Sequence, residues 1–132
     1  MTTAPKAIAR WHDIVEARSL SGLDELLADE VTFESPIVYK PQVGRALARQ
    51  YLHAALHVLD NEHFRYVNEW YGERSAVLEF ETVIDGIQVN GVDIIHWDAS
   101  DRIVRFKVMV RPVKALQTLM PLMAAELQKD LG

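Results

Sequence analysis

The spacing of apolar residues changes period twice along this chain, from helical to two and back again, which divides it into three regions. Between Ala7 and Arg18, Ile8, Trp11, Ile14 and Val15 recur at helical intervals and predict an amphipathic helix. Ser21 to Leu27 predicts a short second helix with Ser21 as its N-cap, after which Val31 to Ser35 alternates as a strand does. Pro36 and Pro41 bracket a loop, and Gly44 precedes a third helix, Arg45 to Leu59, with Leu47, Tyr51, Leu52, Ala55, Leu56 and Leu59 on its apolar stripe. From Asn61 the period falls to two. Four strands are predicted near His63 to Tyr71, Ser75 to Ile84, Gln88 to Trp97 and Ile103 to Arg111, with turns at Tyr71-Gly72-Glu73, Asp85-Gly86 and Ala99-Ser100-Asp101. After Pro112 the helical spacing returns through Leu116, Leu119, Met120, Met123 and Leu127, and Pro121 is expected to start a new turn or kink the helix.

These elements predict an α+β fold in one domain, residues 1–132: a curved antiparallel sheet wrapped on three N-terminal helices, with an additional C-terminal helix. A bent sheet of this kind leaves a cavity at its concave face. In the second long strand Leu78, Phe80 and Thr82 face one way and Glu79 and Glu81 the other. The third is apolar on both faces, so its outer face is expected to be covered by a second subunit, giving a homodimer through the outer sheet face.

Composition removes several classes of function. There is no cysteine, hence no disulfide, thiolate nucleophile or cysteine metal site. A formal charge of −5 opposes binding to a phosphate backbone, so no nucleic-acid partner is expected. The basic residues Arg102, Arg105, Lys107, Arg111 and Lys114 read as a solvated or interfacial face, with Arg111 binding a ligand carboxylate or, the leading reading, pairing to Glu79, Glu81 or carboxylates of a second subunit. No apolar run reaches the length of a membrane span and none near the N-terminus reads as a leader, from which a cytoplasmic protein without a membrane partner is expected.

Asp93 carries the chemistry. It lies within Val89-Asn90-Gly91-Val92-Asp93-Ile94-Ile95-His96-Trp97, where desolvation disfavours its charged form, and displaced titration marks working sites. Its structural alternative is a buried acid satisfied by a helix amide, Trp11 or Tyr51. His53 and His57, four apart on one helix face, could hold a metal, but no HExxH pattern or acid cluster accompanies them, so none is expected. His12 and His96 fall on the outer faces. Ser35 has no nucleophile elbow or histidine partner, and no Gly-rich phosphate loop occurs, so no cofactor is expected.

The element order, together with Ala28-Asp29-Glu30-Val31-Thr32-Phe33-Glu34-Ser35-Pro36, the Gly44 helix start and Val92 to Asp98 followed by Arg102-Ile103-Val104, resembles the nuclear transport factor 2-like superfamily, and within it the SnoaL-like and ketosteroid isomerase branch. The resemblance spans Arg10 to about Pro112 and implies that the curved sheet is cone-shaped. It places Asp93 where the isomerases carry the protonated aspartic acid of their oxyanion hole. It also places Trp11 at the position of the oxyanion-hole tyrosine, Ser35 at that of the proton-shuttling aspartate and Leu52 at that of a supporting tyrosine. A serine without an adjacent base does not take a proton from carbon at neutral pH, so steroid isomerisation is not expected.

In the same registration the cavity is lined by Trp11, Phe33, Ser35, Tyr51, Phe64, Tyr66, Phe80, Trp97, Phe106 and Val108 around Asp93. Asp93 and Trp11 are the polar contacts, Tyr51 and Tyr66 secondary ones. Such a lining suits a small apolar molecule oriented by one or two hydrogen bonds. Any reaction belongs to cofactor-free proton transfer, as in isomerisation, cyclisation or hydration, with Asp93 as acid or base. The competing expectation is a non-catalytic dimerisation or interaction module that binds a partner through its outer sheet face and C-terminal helix.

Overall fold

The computed structural model describes residues 3–131, except the side chains of 130 and 131; positions 1, 2 and 132 of the expected domain lie outside the described residues. α1 (Lys6–Ala17) buries Ala7, Ile8, Trp11, Ile14 and Val15. It stops where Arg18 turns left-handed at φ 50° and donates its N–H to the Val15 carbonyl at 3.2 Å. α2 (Leu23–Leu26) is a single turn. Gly22, at φ 89°, occupies its N-cap in place of the expected Ser21, because the reversal there needs a left-handed residue.

β1 (Leu27–Glu34) starts directly at the end of α2, ahead of the predicted Val31. Its alternation is interrupted by the exposed pair Asp29 and Glu30, at a register irregularity between Leu27 and Thr32, which hides the strand's beginning from a period-two reading. β2 (Gln42–Val43) pairs back on it, and Gly44, at φ 102°, donates to the Val31 carbonyl as the chain enters α3 (Arg45–Leu59). β3 (Arg65–Tyr71), β4 (Ser75–Ile84), β5 (Ile87–Trp97) and β6 (Ile103–Arg111) form the predicted meander. Asp85 and Gly86, both at positive φ, make its two-residue hairpin.

The sheet order is β2-β1-β6-β5-β4-β3. β1 joins β6 in parallel and the other four pairings are antiparallel, so the sheet is mixed. α4 (Val113–Leu131) runs continuously through Pro121 and packs on α3, β5 and β6. Among the described residues no helix is long and apolar enough to cross a membrane.

Ala76, Leu78, Phe80, Thr82 and Ile84 of β4 and Val89, Gly91, Asp93, Ile95 and Trp97 of β5 form the buried inner face. Gly91 is required there: a Cβ would stand 2.5 Å from the Phe80 ring and from the Met109 carbonyl oxygen. On the outer face the register aligns Trp70, Val77 and Ile94 in one cross-strand row and Val92 with Met109 in the next. Glu34 receives Arg105 at 3.1 Å and Lys107 at 3.4 Å. Arg65, at 3.1 Å, pairs with Glu81, and Asn68 and Asn90 donate to Glu79, so Glu79 and Glu81, two of the partners expected for Arg111, hold other donors.

Candidate functional site

Asp93, 6% exposed, is one of two buried polar residues among the buried residues described, with Thr82. Strand alternation directs it inward from β5, and two strands away β3 brings Tyr66 alongside. The Tyr66 hydroxyl donates to Asp93 Oδ2 at 2.6 Å, and the Trp11 indole N–H of α1 donates to the Tyr66 oxygen at 2.9 Å. Burial drives the Asp93 carboxyl from an ordinary 3.8 up to about 7, while the Tyr66 hydrogen bond opposes the rise. Burial, followed by the neighbouring carboxylate, likewise pushes the Tyr66 phenol well above its ordinary value.

The expected donors to Asp93 were a helix amide, Trp11 or Tyr51. The donor is Tyr66, and Trp11 acts one bond further out. The reason is reach: the two-ring Trp11 side chain on α1 spends its single N–H on Tyr66.

A row of aromatic contacts leads away from this chain of hydrogen bonds. Trp11 meets Phe106 edge-on at 4.9 Å between ring centroids, Phe106 lies 6.0 Å from Phe33, and Phe33 lies 5.8 Å from Tyr51. Phe33 and Tyr51 then line an apolar cavity of about 160 Å³ enclosed by the end of β1, the loop after it, α3, β6 and α4. Its other walls include Ser35, Val108, Val110, Leu119, Met120, Met123 and Leu127. Val108 is the cross-strand neighbour of Asp93, which brings the acid within one side chain of the cavity wall.

A second, polar cavity of about 500 Å³ lies between α1 and β3, lined by His12, Val15, Glu16, Arg18, Asp60, Phe64, Arg65, Tyr66 and Glu69. His12 was expected on an outer face but is half-buried here, 3.0 Å from Glu69, because α1 crosses the edge of the sheet at β3. Tyr71 also donates to Glu69, at 2.7 Å. Asp60 faces the Arg18 guanidinium at 3.8 Å, and its second oxygen is buried without a hydrogen bond; burial raises its carboxyl above the ordinary value and Arg18 partly restores it. Neither Glu69 nor Asp60 carried a motif. Each is recognisable only once α1 is docked.

The sequence-predicted set is thus divided. Phe33, Ser35, Tyr51 and Val108 line the apolar cavity, while Phe64 and Tyr66 line the polar one. Trp11, Phe80, Asp93, Trp97 and Phe106 are buried in the core and line neither. Ser35 Oγ accepts the N–H groups of Ile37 at 3.0 Å and Val38 at 2.9 Å, and Leu52 is core. His57 contacts Glu126 of α4 at 3.4 Å, and no group of three or more metal-ligating side chains occurs among the described residues.

The SnoaL-like domain model matches residues 8–106, and the chain belongs to that family, within the nuclear transport factor 2-like superfamily. Its fold is similar to that of a steroid delta-isomerase from Pseudomonas aeruginosa, at 37% identity over 95% of this chain and 91% of that one, with a TM-score of 0.89. An uncharacterized cystatin-like-fold protein from Silicibacter pomeroyi is 30% identical over 96% and 88% of the two chains, with a TM-score of 0.87. At 17% identity an epoxide hydrolase/cyclase-like enzyme of pyran ring formation in salinomycin shares the fold, with a TM-score of 0.65 over 82% and 90% of the chains. No curated protein matches.

Proposed function

We propose that this SnoaL-like domain binds a small, mostly apolar molecule in the cavity beneath α4, and that Asp93, packed behind the Val108 side of its wall, reaches the guest as acid or base when that wall rearranges. One observation carries the reading: an apolar cavity abuts Val108, whose cross-strand neighbour is a buried acid titrating near pH 7. A group poised at the working pH can both give and take a proton. Tyr66 donates to the charged form of Asp93, and Trp11 steadies the Tyr66 oxygen.

The reaction class is cofactor-free proton transfer, in an isomerisation, cyclisation or hydration. Relatives whose names include a steroid delta-isomerase and an epoxide hydrolase/cyclase-like enzyme are consistent with that class. Steroid isomerisation itself fits this chain poorly, since Ser35 stands where the resemblance calls for a carboxylate base.

A thermal-shift screen of small apolar metabolites tests the reading, because a bound guest stabilises the folded form by mass action. At least one compound should raise the melting temperature of the parent, and its turnover should be lost in Asp93→Asn. A screen without any stabilising compound, or a variant that turns over at the parental rate, would end it.

A second copy of the chain on the outer sheet face is a further part of the proposal. Trp70, 55% exposed, and Met109, 49% exposed, flank the apolar residues Val77, Val92 and Ile94 on that face. A contiguous apolar patch of this kind is ordinarily covered.

A further inference from the structure

The volume of the apolar cavity and the hydrogen-bonding state of Ser35 in its wall narrow the class of guest. An apolar cavity of about 150 Å³ holds one benzene, and the space beneath α4 is about 160 Å³. Four fused rings exceed that volume. Five wall residues, Leu119, Met120, Met123, Ala124 and Leu127, come from α4, so this helix sets the size of the space.

Orientation comes from Ser35. A hydroxyl has two acceptor positions and one hydrogen. Both acceptor positions of Ser35 Oγ are taken by the Ile37 and Val38 N–H groups, which leaves the hydrogen as the only thing it can offer a guest. Tyr51 supplies the other hydroxyl in the lining.

We infer that the guest is a molecule of about one ring bearing a hydrogen-bond acceptor, such as a ketone, ether or epoxide oxygen, held by the Ser35 hydroxyl in a space whose size α4 sets. This inference rests on the cavity being a ligand site.

Titrations followed by the methyl resonances of Met120 and Met123 test it with cyclohexanone, methylcyclohexane and progesterone as probes. Cyclohexanone should shift both methyls and bind about fivefold more tightly than methylcyclohexane, the ratio expected for one net hydrogen bond. Ser35→Ala should erase that preference and Ser35→Thr restore it; progesterone should leave the methyls unmoved. Widening the space with Met123→Ala and Leu127→Ala should bring in the two-ring ketone 1-decalone. If both one-ring probes bind equally, or progesterone binds the parent more tightly than cyclohexanone, the inference is overturned while the ligand site stands. If none of the probes, 1-decalone included, moves the methyls of the parent or the Met120 methyl of the widened variant, both are overturned.

Discussion

Tyr66 and Asp93 meet at 2.6 Å across three strands, and that contact joins the edge of the sheet to its buried centre. It also satisfies a carboxyl that burial would otherwise leave without any donor. The Trp11 N–H on the far side of the phenol oxygen makes the arrangement a chain of three side chains from α1, β3 and β5.

The titration of Asp93 sets a pH dependence of stability with a definite sign. Its folded value of about 7 exceeds the ordinary 3.8, so between these the folded state holds more protons than the unfolded one, and stability falls as pH rises through that window. Asp93→Asn removes this slope. Urea denaturation at pH 4 to 8 should show the variant gaining on the parent by a few kcal/mol across the window; parallel curves would refute the buried acid.

Tyr66→Phe deletes the donor to Asp93 and strands the Trp11 N–H. The expected loss is about 2 kcal/mol of stability, since a buried partner left unmatched costs its desolvation. With the one contribution that lowers it gone, the Asp93 carboxyl should titrate still higher, which carboxyl carbon shifts in NMR will read. An unchanged titration would mean that the hydrogen bond does not form in solution.

Gly91→Ala places a methyl 2.5 Å from both the Phe80 ring and the Met109 carbonyl oxygen. Overpacking should cost about 1–3 kcal/mol in chemical denaturation. Adding Phe80→Leu should recover only part of this, because the backbone carbonyl remains in place. Full recovery would locate the strain in the ring alone.

The outer face should respond to charge. Trp70→Asp combined with Met109→Asp sets carboxylates on the apolar rows, and sedimentation should show the parent as a dimer and the variant as a monomer with an unchanged circular dichroism spectrum. A monomeric parent removes the dimer from the proposal.

Much of the fold was legible because alternation is local. The inner faces of β4 and β5, including Asp93, follow from period two alone, as does the buried stripe of α1 from period 3.6. The start of β1 was not, since Asp29 and Glu30 break the pattern at an irregularity. Nor was the placement of His12, which depends on where α1 crosses the sheet.

The sequence by itself determined that an acid would be buried in β5 among apolar and aromatic residues. Only the tertiary structure decided that Tyr66 is the partner of Asp93, because the bulge between Tyr66 and Asn68 and the docking angle of α1 set which side chains meet across strands. It likewise decided that the apolar cavity lies beneath α4 and the polar one beside α1, and that Asp93 lines neither. Side-chain direction is written in the local period; distance between elements is settled only when they pack.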